Sequence, residues 1–392
     1  MTIAKIKVAP NAISSLALIP NLRSSDNLGG KALVFPGLLL SIVLLVSSWQ
    51  VVRAETVQSE GWKLTTWMPP FDYEGTQTVV DYKPARKATR PWTLCVSYPH
   101  LKDAYWLSVN YGMVEEARRL GIGLQLVEAG GYPNLKRQIQ QIRDCSTQSI
   151  HALVVGTVSF DGLTPTLTEI ARDIPVLATV NDIADDGITA KTGVSWYEMS
   201  AIVGRWLSSQ HPDGSKPVNV AWFPGPAGAG WVGFHDRGFR ESIQSSAVNI
   251  LDTFWGDTGK EIQRTLVQRA LDQHDNIDYI VGNALMAEAA ISVLRKRKLA
   301  GKIPILSTYF THGVSRGIKR GKIQLAPTDA PVVQGRISIN QAVRILEGRR
   351  FTIHAGPEIR LLTRDNISDE LSNESLAPPT FQPAFRVDAS VQ

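Results

Sequence analysis

The stretch WTLCVSYPHLKDAYW, residues 92–106, reads as one strand, one break and the mouth of a helix. Thr93 to Ser97 is a short apolar, β-leaning run, and Pro91 before it and Pro99 after it suit strand ends rather than a helix interior. Asp103 then stands where an N-cap would, and Leu107, Tyr111, Val114 and Ala117 recur at helical spacing until Gly121 stops them. With Ile122 to Val127 as a second strand, the segment makes a βαβ unit. Ligands of such units sit beyond the carboxyl end of the strand, where Asp103, Tyr105 and Trp106 project. The competing reading leaves Tyr105 and Trp106 as caps on the lobe's own core.

Outward from this unit the alternation continues. The loop EAGGYPNL, residues 128–135, leads to a helix from about Leu135 to Cys145, the strand Ala152 to Val155, a helix over roughly Leu163 to Arg172 and the strand Val176 to Val180. That is one doubly wound lobe. Past Asn181-Asp182 a second series starts: helix Tyr197 to Gln210, strand Val218 to Phe223, helix Phe234 to Ser245 and strand Ile250 to Trp255. Ile262 to Gln273, Tyr279 to Gly282, Ala284 to Arg297 and Ile303 to Thr308 repeat the pattern. A long helix, Val333 to Glu347, and a short apolar segment, Ile359 to Leu362, remain, which implies a chain that crosses back. The expected class is α/β, with two doubly wound Rossmann-like lobes joined by hinge crossovers. The expected divisions are an N-terminal arm at 55–90, an N-terminal lobe of 91–185 plus 324–350, a C-terminal lobe of 186–323 plus 351–363, and a Pro-rich C-terminal strap at 364–392.

A chain of 392 residues, 43% hydrophobic and 20% charged, is globular in composition and long enough for two domains. The net charge of +5 raises the question of nucleic acid. Lys5, Lys7, Arg23, Lys31 and Arg53 against Asp26 give the first 54 residues +4 of it, so the basic character belongs to the leader. That leader runs from a basic region to an apolar stretch, Leu33 to Val46, and then Val52-Arg53-Ala54, which is secretory signal order with cleavage after Ala54. The alternative is an uncleaved anchor, and both put the remainder outside the cytoplasm. In that compartment the pair Cys95 and Cys145 invites a disulfide, since the second helix should finish over the first strand; two inert buried thiols are the alternative.

Most constellations that carry chemistry are missing. PGPAGAGWVGF, residues 224–234, lies where phosphate loops occur but lacks their Lys-Ser/Thr, and reads as a tight turn at the cleft. The seven histidines show no metal spacing, there is no CxxC, and no hydrolase elbow or triad is recognisable, so neither cofactor, metal nor enzyme is expected. LRKRK at 294–298 is a solvated helix end. What stands out is aromatic: Tyr105 and Trp106, Tyr132, Trp196 and Tyr309 all fall in loops at strand ends. Aromatic faces forming a box are what a quaternary ammonium group needs, at about 0.5–2 kcal/mol per ring. The expected ligand is small and methylated.

These residues resemble the TorT family, periplasmic trimethylamine N-oxide-binding proteins of the TorT/TorS/TorR signalling system with a type 1 periplasmic binding protein fold. The motifs are WTLCVSYPHLKDAYWLSVNYGM, LVEAGGY, GVSWYEM, EIQRTL, GNALMAEAA and GIKRGKI, within about Pro91 to Leu362. The extended leader and the segments GPAGAGWVGFHDRGF and APTDAPVV depart from the family pattern. The resemblance implies two lobes closing on trimethylamine N-oxide in the periplasm, and a complex with a TorS-like sensor kinase. It puts the cage on Tyr105, Trp106, Tyr132, Trp196 and Tyr309, with Asp103 beside them. No nucleic acid is implied, and a membrane only through the kinase or an uncleaved leader. Trp106 and Trp196 each offer a face and an indole N–H, so both are expected to serve the methyls and the oxygen. Asp103 either lies near the methyls or caps its helix. The runner-up is the binding protein of an ABC importer for a sugar or autoinducer, with Asp103, Asn181 and Asp329 on hydroxyls.

Overall fold

The computed structural model describes residues 61–390, and the leader, residues 1–54, lies outside them. The chain begins with strands β1 (Trp62–Met68), β2 (Thr76–Tyr82) and β3 (Thr93–Tyr98). Next come α1 (Ala104–Leu120), β4 (Gly123–Glu128), α2 (Leu135–Ser146), β5 (Ala152–Val155), α3 (Thr164–Ile170), β6 (Val176–Thr179) and β7 (Ala190–Thr192). The second series is α4 (Trp196–Gln210), β8 (Val218–Phe223), α5 (Val232–Ile243), β9 (Val248–Thr253), α6 (Lys260–Gln273), β10 (Tyr279–Gly282), α7 (Ala284–Lys296), β11 (Ile305–Ser307), α8 (His312–Lys319) and β12 (Leu325–Thr328). The chain closes with α9 (Pro331–Leu346), β13 (His354–Pro357), β14 (Arg360–Thr363), α10 (Asp369–Ser375) and β15 (Arg386–Val387).

Two sheets result. One has nine strands in the order β15-β4-β3-β5-β6-β7-β13-β1-β2, the other six in the order β14-β12-β11-β10-β8-β9. The strands from β4 to β13 in the first sheet and from β12 to β9 in the second run parallel, with helices alternating between them. Parallel strands covered on both faces need near-continuous apolar sequence, which is why Leu94 to Tyr98 are all buried. The two α/β lobes are the expected architecture.

Sheet membership departs from the expected divisions. β12, inside the 324–350 segment assigned to the first lobe, pairs with β11 and β14 in the second sheet, and β13, inside 351–363, pairs with β7 in the first. The chain therefore passes between sheets after β7, after β12 and again between β13 and β14. These strands are three or four residues long, too short to show a period in sequence. The 55–90 arm contains a regular hairpin within its described part: β1 and β2 pair over seven positions, Trp62↔Tyr82 to Met68↔Thr76, and β1 adds antiparallel to β13. β2 is an edge strand mostly exposed on both faces, so its backbone holds it while its side chains show no alternation. In the strap, Arg386–Val387 pairs with β4, and Ala377 and Ala384 donate their N–H groups to Ser108 and Asn110 of α1.

Two contacts fix the frame around the cleft. α1 and α9 cross where Gly112 and Gly335 face each other's backbones; a Cβ on Gly112 would fall 2.1 Å from the Val332 carbonyl oxygen, and one on Gly335 2.4 Å from that of Val109. A disulfide joins Cys95 of β3 to Cys145 of α2, with Cα atoms 6.3 Å apart. Behind the first crossing, Lys191 of β7 and Asp182 form an ion pair of 2.8 Å with side chains 4% and 5% exposed. The hairpin covers it: Lys191 Nζ lies over the Tyr73 ring, 4.6 Å from its centroid, and Trp67 stacks on His354 at 4.4 Å. Burial, with Lys191 adding to it, pushes His354 down to about 2, so it packs as a neutral ring.

Candidate functional site

β3 ends at Tyr98 and α1 begins six residues later, so the first turn of the helix opens beyond the carboxyl end of the strand. Asp103 caps it in extended conformation, its Oδ1 accepting from the N–H groups of Tyr105 and Trp106 at 3.1 Å each. Its Oδ2 lies 3.9 Å from Nε2 of His100. Both side chains are buried, and the cap orients the two aromatic residues that follow. Capping is thus what Oδ1 does, while the Asp103 charge is felt by the phenols of Tyr132 and Tyr309.

The structure brings the sequence-expected aromatics together between the two sheets. Tyr105 lies 6.0 Å from Trp106, 6.1 Å from Trp196 and 5.5 Å from Tyr309 between ring centroids, and Trp196 lies 6.1 Å from Tyr309. Tyr132 follows the Gly130-Gly131 turn, and its hydroxyl accepts from Nε1 of Trp106 at 3.4 Å and Nδ2 of Asn181 at 3.3 Å. With its lone pairs so used, the Tyr132 proton is left to donate. Asn181 also donates to the Thr157 carbonyl at 2.7 Å, and its own Oδ1 has no partner among the described residues.

One wall was missed from sequence. Trp231, in the Gly-rich loop before α5, is 2% exposed and lies 4.7 Å from Trp196, 6.2 Å from Tyr132 and 6.3 Å from Tyr309. It closes the ring from Tyr132 round to Trp196, which the other aromatics leave open. Gly225 makes room for it: at φ +133° it has no side chain, and a Cβ there would fall 2.8 Å from Cη2 of the indole. The signal in the sequence was a tryptophan within glycines, where a bulky residue is out of keeping with a tight turn.

The polar groups divide the indoles. Contrary to expectation, neither of the two indoles first singled out has a free N–H: Nε1 of Trp196 donates to the Val180 carbonyl at 3.1 Å, and Nε1 of Trp106 to the Tyr132 hydroxyl at 3.4 Å. Nε1 of Trp231 is buried close to the Tyr132 hydroxyl, with no acceptor within hydrogen-bond distance among the described residues. On the opposite side, the Tyr105 hydroxyl donates to Oδ2 of Asp329 at 2.5 Å and Gln334 donates to the same oxygen at 2.6 Å, leaving Oδ1 of Asp329 without a partner among the described residues. Burial pushes Asp329 up to about 6, against the pull of those two donors. Burial first, then Asp329 for Tyr105 and Asp103 for Tyr309, holds both phenols protonated. Across the mouth the lobes touch through Lys102 and Asp257 at 3.6 Å, His100 and Thr258 at 3.4 Å, and the rings of Phe160 and Phe234 at 5.5 Å.

Comparison with known proteins agrees with this geometry. The chain matches the periplasmic binding protein domain over residues 94–350. It is 41% identical over 301 residues to the periplasmic protein TorT of Escherichia coli K12, a match covering 76% of this chain and 86% of that one. The TorT of a solved complex with the TorS sensor domain is 42% identical with a TM-score of 0.70, over 75% of this chain and 99% of its own, both without ligand and in the presence of trimethylamine N-oxide. An ABC transporter solute binding protein from a Bradyrhizobium species, solved with Bis-Tris, is 46% identical with a TM-score of 0.72, over 83% and 98% of the two chains. The chain belongs to the periplasmic binding protein family and, within it, to the TorT group.

Proposed function

We propose that this protein is a periplasmic sensor that encloses trimethylamine N-oxide between its lobes and, in that closed form, regulates the periplasmic domain of a TorS-like histidine kinase. The observation that carries the reading is the closed ring of Tyr105, Trp106, Tyr132, Trp231 and Trp196, with Tyr309 packed against three of them. Trimethylamine N-oxide presents methyls bearing diffuse positive charge and one oxygen bearing negative charge. Ring faces attract the methyls by cation–π interaction without a full counter-ion. The Tyr132 hydroxyl, polarised by the donors Trp106 and Asn181, faces the oxygen. Nothing in this assignment calls for bond making; Asp103, Asn181 and Asp329 are supporting polar groups at the edge of the cage.

Two solved complexes favour the signalling role over import: TorT with the TorS sensor domain, without ligand and with trimethylamine N-oxide. A ligand shifts a partner's equilibrium only by binding its states differently, so closure is the step through which the kinase would read occupancy. Calorimetry of the purified exported chain with trimethylamine N-oxide and a panel of pentoses and hexoses tests the reading. Saturable heat with the N-oxide and none with the sugars is expected. Saturation by a sugar with no response to the N-oxide would overturn it in favour of an importer.

A further inference from the structure

A buried N–H without an acceptor is costly, about 1–3 kcal/mol in general, and persists where something outside the chain satisfies it. Of the three indoles in the ring, Trp106 gives its N–H to Tyr132 and Trp196 gives its N–H to the Val180 carbonyl, whereas the N–H of Trp231 lies near enough to the Tyr132 hydroxyl to lower that phenol's pKa but has no acceptor within hydrogen-bond distance among the described residues. Trp231 is fixed in this state rather than loosely lodged. Its benzo edge rests on Gly225, its ring meets Trp196 at 4.7 Å, and His235 lies 5.3 Å behind it. His235 offers no charge there, since burial pushes it down to about 3.

We infer that Trp231 is a specificity-determining residue: its indole N–H donates to the negatively charged oxygen of the ligand, so that the cage selects an N-oxide over a quaternary ammonium ion of the same size. This rests on the reading of the cage as an N-oxide site. The ring faces alone cannot make that selection, because tetramethylammonium places a fourth methyl where trimethylamine N-oxide has its oxygen and gains at least as much from cation–π attraction. Discrimination has to come from donors that the oxygen satisfies and a methyl leaves stranded, the arrangement that gives hydrogen-bonding sites their large selectivities. Tyr132 supplies one such donor from the first lobe. Trp231 supplies the matching one from the second, so the selection operates when the lobes come together.

The test is Trp231→Phe, which keeps an aromatic face and removes the N–H. Calorimetry with trimethylamine N-oxide and with tetramethylammonium should show the N-oxide weakened about 10- to 100-fold more than the ammonium ion, which loses only the difference between two aromatic faces. Near-ultraviolet circular dichroism and the thermal midpoint establish that the variant is folded. In parallel, the indole N–H resonance that Trp231→Phe deletes from the spectrum of the parent should move on saturation with the N-oxide and stay in place with tetramethylammonium. An unchanged ratio of the two affinities, equal weakening of both, or a resonance indifferent to the N-oxide would each overturn this inference while leaving the N-oxide reading intact. A parent protein that binds neither ligand would remove both.

Discussion

The phenol of Tyr105 donates to Oδ2 of Asp329 across 2.5 Å, tying the first turn of α1 to the peptide on which the chain leaves the second sheet. Asp329 is buried and its carboxyl is pushed up to about 6 from 3.8. It therefore holds its proton more tightly when folded than when unfolded. Its contribution to stability is fully present below pH about 4 and is lost as the pH rises through about 6. The difference is worth on the order of 3 kcal/mol. Urea unfolding of the parent and of Asp329→Asn at pH 4 and pH 7 should show the advantage of the parent over the variant shrinking by about that amount. The same advantage at both pH values would contradict the ionisation.

The cage residues should separate by what their indoles do. Trp106→Ala and Trp196→Ala are each expected to weaken trimethylamine N-oxide by about 1–3 kcal/mol, from lost cation–π attraction and lost enclosure. Trp196→Phe is the sharper case. Its N–H is spent on the Val180 carbonyl, so the variant should lose about 1 kcal/mol of stability and keep most of its affinity. Calorimetry and urea unfolding read the two quantities separately, and a large loss of affinity in Trp196→Phe would mean that this N–H reaches the ligand after all.

Reduction should be costly. The bridge from Cys95 to Cys145 spans 50 residues, for which chain entropy gives roughly 4 kcal/mol of stabilisation before strain is subtracted. The exported protein should yield no alkylatable thiol under denaturing, non-reducing conditions, and Cys95→Ala/Cys145→Ala should unfold at markedly lower urea. Two free thiols per chain would dispose of the bridge.

The two lysine–aspartate pairs near the cleft should differ in weight. Lys102 is about half exposed, and a pair of that kind contributes about 0–1 kcal/mol. Lys191 and Asp182 are both buried, so Lys191→Met strands a carboxylate and should cost about 3–5 kcal/mol. Equal effects of Lys102→Met and Lys191→Met on the urea midpoint would show that the hairpin over Lys191 admits water.

The lobes were legible because buried parallel strands between amphipathic helices write themselves in composition: Leu94 to Tyr98 and the capped helix after Asp103 are examples. The shared strands were not. β12 contains Pro327, β13 is HAGP, and each is defined by its backbone partners rather than by a run of apolar side chains. The aromatic cluster was legible as far as its members sat at strand ends beside recognisable turns. Trp231 escaped because its loop was weighed as a phosphate cradle and set aside, and only the folded chain reveals that Gly225 clears the space for it. The commitment of Trp196 to Val180 was equally out of reach, since it depends on the left-handed turn at Val180, φ 67°.

The aromatic ring is split between the two sheets, and on the proposed reading that division sets the order of events in time. Tyr105, Trp106 and Tyr132 ride on the first sheet, while Trp231 and Tyr309 ride on the second. In the open form that the proposed closure implies, arriving ligand would meet only one of these halves. The contacts between the halves are Trp231 against Tyr132, Lys102 against Asp257 and Phe160 against Phe234, so that on closure the second half would act as a door and these contacts as its latch. Damage to the first half should therefore be felt in capture, and damage to the door in residence time, which gives a sensor a way to lengthen its signal without changing how fast it responds.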